Sequence, residues 1–254
     1  MTKTPRQKQI LSLLEERGKA AITFLAEQLE VSDETIRRDL KLLSEEGTVE
    51  KFHGGVRLSV PRSEPPFERR LRDATSAKAA IAERAAARIP GGATIMLDNS
   101  SSACFLARAL LHREPMTILT ISLEIAAILQ TANSHHRLIL PPGELRMSDR
   151  TLASSSTIDF LSRFTPSHFA FSVVAGSARG CSDFDMFEAD FKRAIIPQAD
   201  ETILLIDSGK FGKSGLIHVC DWSEIDVLVT DSVPTELHGH IENSHLLIAG
   251  VPSS

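Results

Sequence analysis

A chain of 254 residues, 42% apolar and 24% charged, is long enough to bury one or two cores without disulfides or a structural metal. No apolar run approaches the roughly 18 to 20 residues that span a bilayer, and the polar start leads into an amphipathic segment rather than a secretory signal. A cytoplasmic protein with no membrane partner is expected. Cys104, Cys181 and Cys220 are far apart and contain no C-x-x-C pair, which gives no sign of a disulfide framework or a zinc site. Tyrosine is absent and tryptophan single, leaving little for stacking on single-stranded nucleic acid.

The formal charge of −5 is unevenly distributed. Residues 1–58 hold ten Lys/Arg and ten Asp/Glu, so the deficit lies wholly in the remaining residues, with 18 basic and 23 acidic groups. The neutral N-terminal part is also segregated. Its acids gather at Glu15-Glu16, Glu27, Glu30 and Glu45-Glu46, its bases at Arg37-Arg38, Lys41, Lys51 and Arg57. Such a module can present one basic face.

Ile10, Leu11, Leu13 and Leu14 recur at helical spacing and Gly18 supplies a stop, predicting a helix over about 5–17. Ile22, Leu25, Ala26 and Leu29 predict a short second helix. A third follows: Ser32 is suited to cap it, Asp33 and Glu34 favour the positive end of its dipole, and Ile36, Leu40 and Leu43 form its buried stripe. That stripe leaves Asp33, Thr35, Arg37, Arg38 and Lys41 outside. Two β-rich runs around His53-Gly54-Gly55 predict a hairpin. A helix-turn-helix followed by a basic hairpin is a winged DNA-binding module. The candidate contacts to double-stranded operator DNA are Ser32, Asp33, Thr35, Arg37, Arg38 and Lys41 on the helix, and Lys51, His53, Gly54, Gly55 and Arg57 on the wing.

The run Val31-Ser32-Asp33-Glu34-Thr35-Ile36-Arg37-Arg38-Asp39-Leu40, with Leu43, Gly47 and His53-Gly54-Gly55, closely resembles the N-terminal signature of the DeoR family of bacterial transcriptional regulators. The resemblance implies a recognition helix over 33–46, with Thr35, Arg37 and Arg38 as leading contacts.

Residues 59–66 hold three prolines and read as a stiff connector between a DNA-binding domain over 1–58 and a second domain over 67–254. The alanine-rich stretch 67–89 predicts one long helix. Strand-like runs at 93–98, 116–121, 137–141, 168–175, 202–207, 226–230 and 244–249 then alternate with helical runs at 102–111, 123–131, 157–164 and 188–198. Alternation of this kind predicts a Rossmann-like α/β domain with a mostly parallel sheet. Ligands gather beyond the carboxyl ends of such strands. The residues there, which form the candidate site for a small-molecule effector, are Asp98, Asn99, Ser100, Ser101, Ser102, Thr120, Ser122, Gly143, Glu144, Asp207 and Lys210. Asn99 to Ser102 open a helix and can cradle an anion with backbone N–H groups and hydroxyls, and Lys210 can neutralise it. His135-His136 reads as a solvated turn.

The family resemblance extends over nearly the whole chain. It implies an effector domain related in fold to ribose-5-phosphate isomerase, with a phosphorylated sugar or derivative as ligand. Asp98-Asn99-Ser100-Ser101-Ser102 stands where the family usually shows Asp-Ser-Gly-Thr-Thr, Thr120-Ile121-Ser122 where it shows Thr-Asn-Ser, and Pro142-Gly143 where it shows Gly-Gly. Asp207-Ser208-Gly209-Lys210-Phe211 nearly preserves Asp-Ser-Ser-Lys-Phe. The expected protein is a ligand-controlled repressor of a carbohydrate-related operon, without cofactor, metal or catalytic residues, acting as a homo-oligomer (dimer or tetramer) on paired half-sites. The rival is a sugar-phosphate isomerase-like enzyme with an added N-terminal module, in which Asp98, Glu144, Asp207 and Lys210 do acid–base work.

Overall fold

The computed structural model describes residues 4–45, 48–52, 54–58, 64–131, 135–241 and 245–250. The chain divides into two compact units, Met1–Pro61 and Arg62–Ser254.

The first unit runs α1 (Pro5–Arg17), β1 (Lys19–Ala21), α2 (Ile22–Gln28), α3 (Asp33–Glu45), β2 (Val49–Phe52) and β3 (Gly55–Leu58). Thr4 opens α1 through a reciprocal cap: Gln7 N donates to its hydroxyl and its own N–H donates to Gln7 Oε1. Ile10, Leu14, Leu25, Ile36, Leu40 and Leu43 bury one stripe of each helix against Val49 and Val56. The expected hairpin is β2–β3, paired antiparallel from Val49 with Leu58 to Phe52 with Gly55. Its tip residue His53 lies outside the described residues. Gly54 has φ +87°, a left-handed conformation that favours glycine. A Cβ on Gly55 would stand 2.6 Å from the Ala20 carbonyl oxygen, so glycine lets β3 close onto β1. Strand β1, absent from the sequence reading, makes the sheet three-stranded in the order β1-β3-β2.

The second unit contains α4 (Phe67–Arg70), α5 (Thr75–Ala86), β4 (Thr94–Leu97), α6 (Ser101–Leu110), β5 (Thr117–Thr120), α7 (Leu123–Thr131), β6 (Arg137–Ile139), β7 (Leu145–Arg146), β8 (Thr151–Leu152), α8 (Ser155–Leu161), β9 (His168–Phe171), β10 (Ala175–Ser177), β11 (Gly180–Asp183), α9 (Met186–Ile195), β12 (Thr202–Leu205), β13 (Ile217–Cys220), β14 (Val227–Thr230) and β15 (His245–Ile248). Seven strands form one sheet in the order β15-β14-β12-β9-β4-β5-β6, every neighbouring pair parallel. Both faces are covered. Ile95, Leu97, Ile118, Ile203 and Leu205 pack with α5, α6 and α7, while Met96, Leu119, Phe169, Phe171 and Leu204 pack on the other side with α9. Double burial is why these strands read as continuous apolar runs. Each fully buried side chain of this size contributes about 1.5–3 kcal/mol.

The single helix expected over 67–89 is corrected. The chain breaks at 71–74, where Ala74 takes φ +52°, and the Lys78 ammonium donates to the carbonyls of Arg70 and Asp73. Helix propensity registers the alanines but not a buried lysine that satisfies the carbonyls freed by a break. His136 is also corrected. It is not a solvated turn residue, since its Nδ1 accepts from Met116 N and its Nε2 meets Leu110 O at 2.9 Å. Among the described residues no helix is long and apolar enough to cross a membrane.

Candidate functional site

In the first unit the outer face of α3 is set by what its inner face binds. Ile36, Leu40 and Leu43 are buried, and so is Asp39, whose carboxylate takes the Arg6 guanidinium of α1. Asp39, part of the Arg-Arg-Asp-Leu run, therefore anchors α3. Ser32 caps the helix through Thr35 N and shares a 2.9 Å hydrogen bond with the Thr35 hydroxyl. Asp33 and Thr35 are half-buried, while Arg37, Arg38 and Lys41 are exposed. Arg37, Arg38, Lys41 and Lys51 line one concavity of about 460 Å³ with Ile22, Glu34 and Leu40. Helix and wing thus share a basic hollow. Arg57 is different: its Nη2 lies 2.8 Å from Glu50 Oε2 on the paired strand.

In the second unit the strand order reverses at β4. The chain runs outward through β5 and β6, then returns on the other side of β4 with β9. The crevice beyond the carboxyl ends of β4 and β9 is the topological switch point, where open α/β sheets bind ligands. Asp98 stitches it: Ser100 N and Ser100 Oγ donate to its Oδ1 at 3.0 and 2.6 Å, and Ser172 N donates to its Oδ2 at 2.9 Å. Ser100 then caps α6 through Ala103 N. Ser101 and Ser102 form the first turn of α6 and are buried at 3% exposure each. Lys210, in the turn after β12, donates to Ser172 Oγ at 2.9 Å and to the Val173 carbonyl at 2.8 Å. Burial pulls its pKa down, against Glu64, Asp207 and Asp183.

A cavity of about 450 Å³ opens at this end of the domain, lined among others by Glu64, Phe67, Arg70, Arg146, Asp149 and Glu188. None of the sequence-selected residues is in its wall; several back it. Asn99 Nδ2 lies 2.9 Å from Glu188 Oε1, 3.2 Å from Asp149 Oδ2 and 3.0 Å from Thr151 Oγ1. Thr120 and Ser122 serve their own backbone, accepting from Ser122 N and Ile125 N and capping α7. Asp207 is buried and its carbonyl accepts from Lys210 N. Gly143 and Glu144 are exposed. A Cβ on Gly143 would stand 2.4 Å from Thr157 Oγ1, which makes this glycine a packing requirement.

Sequence reasoning missed the charged network that shapes the cavity. Arg146, on the β7–β8 hairpin, reaches Asp149 at 2.9 Å, Asp185 at 2.9 Å and Glu188 at 2.6 Å. These contacts hold its pKa above the ordinary arginine value, the Asp149 hydrogen bond most of all. Lys192 of α9 is buried between Asp183 at 2.6 Å, Asp98 at 3.8 Å and Glu188 at 4.0 Å. Burial pulls its pKa down, but the three carboxylates win and hold it above the usual lysine value. The available signal was Asp185 and Glu188 at the start of α9 with Lys192 four residues on, a spacing that puts Glu188 and Lys192 on one face.

Comparison with known proteins agrees with this geometry. A family model described as a DeoR-like helix-turn-helix domain matches residues 6–61, and one described as a DeoR C terminal sensor domain matches residues 73–232. The chain belongs to the DeoR family of transcriptional regulators. The glycerol-3-phosphate regulon repressor of Escherichia coli (strain K12) is 33% identical to this regulator over 236 residues, 92% of this chain and 93% of that protein. The HTH-type transcriptional repressor CsqR of the same organism is 32% identical over 250 residues, 98% of this chain and 95% of that one. Among solved structures, ribose 5-phosphate isomerase A from Methanocaldococcus jannaschii aligns with the regulator at 14% identity and a TM-score of 0.39, over 54% of each chain. That likeness is too loose to carry an argument about activity.

Proposed function

We propose that this regulator is a repressor of a carbohydrate-related operon, released or recruited by a small anionic, hydroxylated effector. The observation that carries the DNA half is the basic hollow on α3 and the wing. Arg37, Arg38 and Lys51 have no ion-pair partner among the described residues, and the Lys41–Glu45 contact is a long, exposed 4.0 Å. DNA supplies the missing negative charge as a row of phosphates. The relatives named as repressors, one of a glycerol-3-phosphate regulon, support repression and a phosphorylated polyol or sugar as effector.

The effector half rests on the switch-point crevice, with the Asn99–Ser102 loop and Lys210 beside it. The site suits binding better than catalysis. Both oxygens of Asp98 are spent on the turn, and the Lys192 ammonium is locked among carboxylates. This favours a regulator over the isomerase-like enzyme, in the cytoplasm where operator DNA lies. One recognition helix reads few base pairs, which supports a dimer or tetramer on paired half-sites.

The test is binding to DNA flanking the protein's own gene, measured by fluorescence anisotropy across a salt series with and without glycerol 3-phosphate and related phosphorylated sugars. The expected result is tight, salt-dependent binding to one site, altered by one member of the panel. Equal affinity for that DNA and random duplex overturns the reading.

A further inference from the structure

Two buried polar side-chain atoms among the described residues lack a hydrogen-bond partner, Arg70 Nε and Asn99 Oδ1. One is a donor without an acceptor, the other an acceptor without a donor. Buried groups of this kind cost stability and need a reason. Both lie in one region: Arg70 lines the cavity, and Asn99 donates to Asp149 and Glu188 of its wall.

The only described counter-ion of Arg70 is Glu64, with Nη1 2.9 Å from Oε2. Its guanidinium also lies over the Phe67 ring, 5.2 Å from the centroid. Glu64 is a poor tenant. Burial pushes its carboxyl pKa up, against the pull of Arg70 and Lys210, so the ionised form is held at a cost. Glu64 also engages one corner of the guanidinium, whereas a phosphate or free carboxylate can bridge Nε and Nη as a fork.

We propose that Arg70 is the receptor for the effector's anionic group and that Glu64 occupies its place until the effector arrives. The inference rests on the reading of this unit as an effector domain. Lys210 contributes charge but its ammonium is already bonded to Ser172 and Val173. Asn99 stands behind the wall and holds Glu188 and Asp149 in place through its Nδ2. The ligand class is a small polyol or sugar with one anionic group. Glu64 belongs to the second unit, so the exchange of Glu64 for the ligand is contained within that unit.

The experiment uses the full chain and calorimetric titration with glycerol 3-phosphate, glycerol and inorganic phosphate. The variants are Arg70→Met, Arg70→Lys and Glu64→Gln, each checked for a native melting transition. Arg70→Met should weaken glycerol 3-phosphate binding at least about tenfold through loss of a charge-assisted fork, with Arg70→Lys in between. Glu64→Gln should tighten it about three- to tenfold by removing the competing charge. Wild-type affinity in both Arg70 variants, or unchanged or weaker binding in Glu64→Gln, overturns the assignment of Arg70 and leaves the effector reading standing. A wild type that takes up no phosphorylated probe overturns the effector reading, and the assignment with it. If Arg70→Met fails to fold, Arg70→Lys and Glu64→Gln decide.

Discussion

The basic face of α3 in the first unit and the cation network beside the cavity of the second are built in opposite ways. On α3, Arg37 and Arg38 stand exposed with no acidic partner among the described residues. In the second unit, Arg146 and Lys192 each face three carboxylates. Under the proposed function, the contrast follows from what each surface would meet. A duplex brings a dense row of phosphates and asks only for unspent charge. A small ligand in a buried crevice must instead compete with resident counter-charges, and that competition lets occupancy select between states. On that reading the unpaired face serves affinity and the paired one response.

The strongest way to break the comparison is to unpair the paired side. Lys192→Met keeps the stem but strands the carboxylates of Asp98, Asp183 and Glu188. Removing one partner of a buried ion cluster costs about 3–5 kcal/mol. Urea unfolding of the full chain should show the second unit's transition shifted by that amount, with operator binding by the first unit spared where both remain folded. A shift under about 1 kcal/mol would mean that the Asp98 turn does not depend on its buried cation.

Asp149→Asn tests the outer half of the network, with a smaller expected cost of about 1.5–3 kcal/mol for a charge-assisted hydrogen bond. Although burial raises the Asp149 pKa, the Arg146 hydrogen bond and charge outweigh it and the net shift is downward. A carboxyl depressed on folding contributes stability above its unfolded pKa and loses it as pH falls through the folded value. Wild type should exceed the variant at neutral pH, and the two should converge in acid below about pH 4. A stability gap that persists unchanged at low pH would assign the effect to packing instead of charge.

The unpaired side is sharpened by Arg37→Ala and Arg38→Ala. Adjacent helical positions point about 100° apart, so one side chain is expected at a base edge and the other at a phosphate. The base reader should lose about 1–3 kcal/mol with relaxed specificity at one base pair. The phosphate contact should weaken all sequences alike and lower the salt slope by about 1. Unchanged operator affinity in both variants would remove α3 from the groove.

How much of this was legible in the sequence divides along the same line. The exposed face of α3 could be read because its buried stripe has a period and its arginines lie off it. The seven parallel strands could be read because double burial makes them continuous apolar runs. The crevice was located by rule, at the strand ends, but its wall was not. Arg70, Arg146 and Glu188 lie up to 118 positions apart and come to one cavity only through tertiary packing. Ile121, where the family's asparagine is absent, is fully buried in the core, and its carbonyl accepts from Leu152 N beside the β7–β8 hairpin. The departure from the family pattern thus lies on the packing side of the strand end. Asp39 was hidden for the opposite reason: a charged residue beside two arginines reads as surface, and only the Arg6 contact shows it to be buried.

The smallest expected effect comes from the one wing cation that behaves like those of the second unit. Arg57 is tied to Glu50 across the hairpin, with side chains 54% and 33% exposed. A pair this open contributes only about 0.2–1 kcal/mol to stability. Glu50→Gln removes the acid and releases Arg57 toward whatever phosphate lies near the wing. Stability should fall by no more than that amount, while operator affinity should rise about two- to fivefold with a salt slope steeper by about 1. The measurement is operator binding by anisotropy at several salt concentrations, alongside thermal unfolding. An unchanged slope would make Arg57 a brace for the hairpin, leaving Lys51 as the wing's described contribution to the basic hollow. A steeper slope would show that the wing holds a cation in reserve, placing Arg57 with the unpaired charges of the proposed DNA-binding face.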